Sequence, residues 1–377
     1  MSEFAAGPAG RIERVRALMV ERGYDAIVVR DEANLRWLTG VKGVFDYTFE
    51  FPHAAFITAD QCLFHTDSRY LNSFEENTPA GSPWVYDMDE GTIPGWVAGK
   101  IAANKCRVCA VEDDMQINFY QGIQRGLEDR SVACMLPLMH DDIRKMRAIK
   151  DAEEIELMRH AQSITDAAFQ HMLGFIKPGM TEKQVRNELE NFMFANGADS
   201  LAFGSIVASG PNTANPHAVP SDRVIEKGDF VLMDYGAGYC DYRSDMTRTV
   251  ALGFVSEEMD KVYKTVLKAQ LAGIAATKAG VSGKAIDGAA RKVIADAGYG
   301  EYFGHGYGHS LGILIHEAPN ANTRNEEPMP ENAVVSAEPG IYLPGKFGVR
   351  IEDENGIPSC RCPYFGKEEQ QSQLAQQ

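Results

Sequence analysis

The chain is expected to be an α+β protein in two parts. An α/β domain over residues 1–142 precedes a larger domain over 150–377 that uses one folding unit twice. Three observations point there. The 377 residues are more than one hydrophobic core ordinarily organises. Helix-period and strand-like runs alternate through roughly the first 140 residues. In the second part, the first 26 residues of KPGMTEKQVRNELENFMFANGADSLAF (177–203) align without gaps to KAGVSGKAIDGAARKVIADAGYGEYF (278–303), at an offset of 101 residues.

In the first part, Ile12, Val15, Leu18 and Met19 recur at helical spacing until Gly23 stops the helix. The strand Ala26-Ile27-Val28-Val29 follows, with further β-like runs at 54–58 and 107–112. Residues 141–176 open on Asp141-Asp142, carry the charged run Lys150 to Glu156, and read as a linker entering a long helix. Ile155, Met158, Ala161, Ile164, Ala168 and Met172 lie along one side of that helix, so the domain boundary belongs near 142–150. In the repeat, Lys177, Gly179, Thr181, Lys183, Val185 and Gly197 fall opposite Lys278, Gly280, Ser282, Lys284, Ile286 and Gly298. Thr181-x-x-Gln184 is a capping box, so each copy begins a helix at its Thr or Ser.

Each copy is followed by a pair of acids on a hairpin. Asp234 ends the apolar run Phe230-Val231-Leu232-Met233, and Asp245 lies beyond the turn-like Gly236-Ala237-Gly238. A hairpin with an even-numbered turn around 239–240 places 234 and 245 directly opposite each other, on one face. Glu338 and Glu352 pair in the same way around Pro344-Gly345-Lys346, with an odd-numbered turn. Two bare carboxylate pairs on buried hairpins repel and take up protons. Four carboxylates and the imidazole of His309 around two divalent cations cancel charge almost completely. Asp234, Asp245, His309, Glu338 and Glu352 are therefore expected to form one dinuclear metal site. Two similar halves, each contributing a ligand hairpin, imply a pseudo-two-fold domain with the metals on its axis.

Composition narrows the partners. A net charge of −16 argues against nucleic acid, which needs a basic face. Seven scattered cysteines, with Cys106-x-x-Cys109 inside a strand-like stretch and no second pair at zinc spacing, are expected to be reduced thiols of a cytoplasmic protein. No signal-length or membrane-length apolar run is present in the sequence.

The stretches VLMDYGAGYCDYRSDMTRT (231–249), HGYGHSLGILIHEAP (305–319) and SAEPGIYLPGKFGVRIED (336–353) resemble the pita-bread metallopeptidases. Among these they are most similar to the Xaa-Pro aminopeptidases and Xaa-Pro dipeptidases (prolidases). RIERVRALMVERGYDAIVV and Thr66-Asp67-Ser68-Arg69-Tyr70 resemble that family's creatinase-type N-terminal domain, and RAIKDAEEIELMRHA (147–161) its inter-domain helix. The resemblance runs from about residue 10 to 353. It implies that Asp245 and Glu352 bridge two ions, that Asp234 holds one of them and that His309 and Glu338 hold the other. Mixed ligation with mostly carboxylates suits Mn²⁺ or Co²⁺, with Zn²⁺ behind them, and the resemblance leans towards Mn²⁺. A homodimer is implied in the same way, with an N-terminal domain that limits substrates to short proline-containing peptides. The segment Trp37 to Phe49, rich in aromatics and glycine, is assigned to core packing over a reach into a neighbouring site.

The implied reaction is hydrolysis of the Xaa-Pro bond at the N-terminus of a short peptide. A water between two cations is acidified towards pH 7, from roughly 15.7 in bulk. Glu338 is the group expected to take its proton and pass it to the leaving nitrogen. His305 and His316 stand where the family places histidines that stabilise the tetrahedral intermediate or relay its proton, and His217 would line the pocket after Pro216. Thr247 and Arg350, two residues from Asp245 and Glu352 on the same strand faces, are expected to support those carboxylates. Glycines 304, 306 and 308 are expected to let the backbone approach the metal. Gly308-His309-Ser310-Leu311-Gly312 matches a serine-hydrolase elbow, but no His follows any later acid, so Ser310 is a packing residue.

Two departures stand out. Prolidases often carry Arg directly after His-Glu-x-Pro, where this chain has Asn320; Arg324 lies four residues on. After Asp353 the tail runs Glu354-Asn355-Gly356, then Cys360 and Cys362 to a Gln-rich finish, so a barrel-closing strand is expected to be altered or absent. Rival readings are another pita-bread hydrolase or lyase acting on a small molecule, such as a creatinase, and a non-catalytic peptide-binding module. Both branches lose metal ligands, and this chain keeps all five.

Overall fold

The computed structural model describes residues 7–45, 52–88 and 91–356. The chain divides into two compact units at Arg147/Ala148. In the first, the helix Gly7–Arg22 buries Ile12, Val15, Leu18 and Met19 and stops at Gly23, whose φ of 70° suits a residue without Cβ. A five-stranded sheet follows the order Trp84–Asp87, Cys62–His65, Ala54–Thr58, Ala26–Val29, Cys109–Val111. Its central strand Ala26–Val29 runs antiparallel to Ala54–Thr58 and parallel to Cys109–Val111. The helices Ile93–Ala103 and Ile117–Asp129 supply Trp96, Ile101, Phe119 and Ile123 to the core on this sheet. Trp37 and Phe45 are buried; residues 46–49 of that aromatic segment lie outside the described residues.

The second unit is built twice. Helix Ala152–Phe175 opens on a capping box of Asp151 and Glu154 and packs against Glu182–Ala195, which opens on the Thr181/Gln184 box. Helix Glu257–Ala276 packs against Gly283–Asp296, whose cap is Ser282. The start and end of the second helix in each pair keep the 101-residue offset of the aligned sequences. Each turn before those helices is tied alike: Gly179 N donates to Ile225 O at 2.9 Å, and Gly280 N to Met329 O at 2.9 Å. Each half has its own apolar core, one around Met172, Leu189, Val231 and Met246, the other around Val266, Ile286, Val335 and Ile341.

Between the helix pairs lie the hairpins. Phe230–Tyr235 pairs with Ile206–Ser209 on one side and Met246–Ala251 on the other. Val334–Ala337 pairs with Asp353–Gly356, and Gly340–Leu343 with Phe347–Arg350. The expectation of an altered or missing closing strand is therefore corrected. Asp353–Gly356 forms an antiparallel strand, because Val334–Ala337 would otherwise leave its backbone groups unpaired inside the sheet. Cys360, Cys362 and the Gln-rich finish lie outside the described residues. Among the described residues, no helix is long and apolar enough to cross a membrane, and Cys62, Cys106, Cys109, Cys134 and Cys240 are free thiols.

Candidate metal centre

The first ligand hairpin pairs Asp234 with Thr247, not with Asp245. Its two-residue turn falls on Cys240 and Asp241, at φ of 47° and 69°, one residue later than the glycines suggested. Gly236 serves a different need: a Cβ there would lie 1.8 Å from Ser244 O, so only glycine lets the strands cross. Moving the turn by one residue moves the pairing by two. Parity is kept, and Asp234 and Asp245 remain on one face as diagonal neighbours.

The second hairpin keeps one register on both sides of its acids, with Ala337 opposite Asp353 and Gly340 opposite Arg350. Glu338 therefore faces Glu352. The turn is Pro344-Gly345-Lys346, with Gly345 at φ 74°. His309 comes from the short strand Gly308–Ser310, laid so close to Val334–Ala337 that a Cβ on Gly308 would meet Ser336 O at 1.9 Å. Gly308 thus allows close strand packing, a Cβ on Gly304 would face open space, and Gly304, Gly306 and Gly308 all line the cavity described next.

These elements bring the five groups to the wall of one cavity of about 1170 Å³, which His217, His305 and His316 also line. Ligand atoms of Asp245, His309 and Glu352 all lie within 4.8 Å of one another. His309 Nε2 is 3.6 Å from Asp245 Oδ2 and 3.4 Å from Glu338 Oε1. Its Nδ1 sits 3.2 Å from Ser310 O, so Nδ1 carries the proton and a bare Nε2 faces two carboxylates. Burial holds the imidazole below its ordinary pKa, which favours that neutral form. Lone pairs facing lone pairs repel unless a cation lies between them.

The carboxylates show the same deficit. Burial, then repulsion from neighbouring carboxylates, pushes Asp245 and Glu352 well above the usual carboxylate range. Burial raises Glu338 too, against the pull of His305 and Arg350. Asp234 Oδ1 and Glu352 Oε1 are buried without a hydrogen-bond partner, although such oxygens are normally satisfied. This donor set, four carboxylates and one neutral imidazole, fits divalent cations.

Behind the ligands, Arg350 Nη2 donates to Asp234 Oδ2 at 2.5 Å and Arg350 Nε to Thr247 Oγ1 at 3.0 Å; Thr247 Oγ1 in turn donates to Glu352 Oε2 at 2.6 Å. Arg350 Nη1 also donates to Tyr342 OH at 2.9 Å, and that hydroxyl lies 2.9 Å from His305 Nε2. His305 Nδ1 is 2.8 Å from Gly306 O, so both nitrogens of this ring are taken by the protein. His305 thus reaches Arg350 through the Tyr342 hydroxyl while still lining the cavity. The His316 ring packs edge-on against His309 with centroids 4.3 Å apart, and burial lowers its pKa, with His309 and His217 adding to the effect.

Tyr342, Ser336 and Glu354 escaped sequence reasoning. Ser336 Oγ accepts from His309 N at 3.1 Å and lies 3.3 Å from Glu338 Oε1. Glu354 accepts from Asp245 N at 2.9 Å and is pushed up to about 8 by burial. Ser336 and Glu354 stand two residues from Glu338 and Glu352, the spacing that marks Thr247 and Arg350, so that signal reaches them too; Tyr342 meets His305 and Arg350 by tertiary proximity alone. Ser310 is fully buried and accepts from Lys150 Nζ at 3.1 Å, as a packing residue does.

Two similar halves around an acid-rich centre, preceded by a separate α/β unit, are the arrangement of a metal-dependent hydrolase. The chain belongs to metallopeptidase family M24, whose model matches residues 156–356, while the creatinase/prolidase N-terminal domain matches residues 11–149. It is 37% identical over 351 residues to an uncharacterized peptidase of Bacillus subtilis, YqhT, covering 91% of this chain and 94% of that one. A solved Xaa-Pro dipeptidase from Bacillus anthracis is 37% identical with a TM-score of 0.87, covering 96% of this chain and 98% of its own. An X-Pro aminopeptidase from Thermotoga maritima is 34% identical with a TM-score of 0.83, covering 95% and 97%.

Proposed function

We propose that this protein is a metal-dependent exopeptidase that cleaves the Xaa-Pro bond at the N-terminus of short peptides. The observation that carries the reading is the convergence of Asp234, Asp245, His309, Glu338 and Glu352 on one cavity wall, with orphaned carboxylate oxygens and a bare imidazole nitrogen. These five would hold two divalent ions, Mn²⁺ before Co²⁺ or Zn²⁺. Bound there, the ions neutralise the carboxylates and supply Lewis acidity for peptide hydrolysis.

The chain's own groups do the rest. Glu338 is partly exposed to the cavity, and its raised pKa suits a group that takes a proton and returns it to the departing proline nitrogen. His316 and His217 stand on the same wall, where an imidazole N–H can donate to developing oxyanion charge. Arg350, held by four acceptors, fixes Asp234 and, through Thr247, Glu352. Tyr342 and His305 extend that network. Asn320 and Arg324 both line the cavity; Asn320, where prolidases often carry Arg, argues for substrates longer than dipeptides. The free thiols support a cytoplasmic setting, and family resemblance supports a homodimer.

Hydrolysis of Ala-Pro against Ala-Pro-Ala with added Mn²⁺ tests the reading. Cleavage of the tripeptide marks an aminopeptidase and cleavage of the dipeptide alone a prolidase. No metal-dependent cleavage of either refutes the assignment. Anomalous scattering from Mn²⁺-soaked crystals counts the ions.

A further inference from the structure

Residues 210–220 separate Ser209 from Ser221, yet one buried carboxylate holds both ends of that loop. Glu182 is the first residue of helix Glu182–Ala195 and has no exposed surface. Its Oε1 accepts from Ser209 N at 2.7 Å and Ser209 Oγ at 2.8 Å. Its Oε2 accepts from Ser221 N at 3.0 Å and Ser221 Oγ at 2.6 Å. Asn212 Nδ2 adds a donor 3.1 Å from Oε1. The helix N-terminus favours the negative charge as well.

The loop pinched in this way carries His217, and Val219 beside it is 82% exposed on the cavity wall. Its far side rests on the second ligand hairpin. Gly348 N donates to Thr213 Oγ1 at 2.7 Å, and Arg350 Nη1 to Pro216 O at 3.3 Å. A Cβ on Gly348 would lie 2.2 Å from Thr213 O, so hairpin and loop are in close backbone contact. The loop is therefore fixed at its neck by Glu182 and at its far side by the strand that carries Arg350.

We infer that Glu182 is a positioning residue for the hydrolysis: by closing the neck of loop 210–220 it sets where His217 stands in the cavity. The inference rests on the peptidase reading above. Glu182 touches no substrate and acts only through the loop. A brace of general importance would lower the folded fraction whatever residue occupied position 217; a device that aims His217 loses its effect once that imidazole is gone.

Double-mutant cycles separate the two. Glu182→Gln keeps the side-chain shape and one acceptor oxygen, and Asn212→Ala removes a single donor at a half-buried position. Each is combined with His217→Ala, and kcat, KM and the melting temperature are measured on the peptide the wild type cleaves. In the wild-type background Glu182→Gln is expected to lower kcat/KM about ten-fold, mainly in kcat, and Asn212→Ala about three-fold. In the His217→Ala background both are expected to change kcat/KM less than about two-fold. Equal losses in the two backgrounds overturn the inference, as does a His217→Ala protein as active as the wild type. A wild-type protein that cleaves neither peptide overturns the peptidase reading and the inference together.

Discussion

Stripped of metal, the C-terminal unit is expected to lose stability as pH rises, and Mn²⁺ to reverse the trend. Asp245, Glu338 and Glu352 are raised from ordinary values of 3.8 for Asp and 4.5 for Glu. Where the folded pKa is the higher, the folded chain keeps a proton that the unfolded chain has released. The stabilisation is then complete below the unfolded value and is lost as pH climbs to the folded one. Each such group removes about 1.4 kcal/mol per pH unit. His305, His309 and His316 are lowered from 6.5, so they make stability rise with pH and then level off near 6.5. The clean window is therefore about pH 6.5 to 8, where every site carboxyl still protonated in the folded state costs about 2 kcal/mol.

A cation inverts this, because its ligands must be ionised and binding releases their protons. Urea denaturation followed by far-ultraviolet circular dichroism, in EDTA and in saturating Mn²⁺, gives the two slopes. Fluorescence would report the wrong part of the chain, since Trp37, Trp84 and Trp96 all lie in the N-terminal unit. Glu112 in that unit, pushed up to about 7 by burial, has the same sign but no link to metal. Glu354, at about 8, likewise contributes with the same sign. The difference between the EDTA and Mn²⁺ slopes isolates the site. Parallel slopes would refute the reasoning.

Two substitutions probe the scaffold of the site. Arg350→Met removes the donor to Asp234 Oδ2 and leaves neither oxygen of that buried carboxylate hydrogen-bonded. A cost of about 3–5 kcal/mol is expected in EDTA, shrinking in saturating Mn²⁺, where a cation compensates Asp234; an equal cost in both would count against Asp234 as a ligand. Gly308→Ala places a methyl 1.9 Å from Ser336 O, so the strand carrying His309 must shift. About 1–3 kcal/mol of stability and most Mn²⁺ affinity are expected to go, read by denaturation and calorimetry, and an unchanged affinity would show that His309 does not need its strand in place.

How much of this was legible depends on what dictates each residue. Helix starts were visible because caps are local: Thr181 with Gln184, and Ser282, each make their bond within the first turn. The second hairpin's register was visible because Pro344-Gly345-Lys346 is both the turn signal and the turn. The first hairpin misled because its signal and its turn are different residues. Gly236 and Gly238 look like a turn but exist for close strand crossings, at Ser244 O and Ser200 Oγ. The true turn, Cys240-Asp241, takes positive φ without glycine. The same distinction runs through the site. Carboxylates and imidazole are few among the buried residues of a hairpin, so residue type and spacing single out the five candidate ligands. The groups behind them need only reach. Arg350 for Asp234, Ser336 for His309 and Glu182 for Ser221 are set by tertiary proximity, and several residue types could supply the same hydrogen bond. Strand parity marks Thr247 and Arg350 as supports, but the acid that each one holds, Glu352 for Thr247 and Asp234 for Arg350, is settled only by the way the hairpins meet.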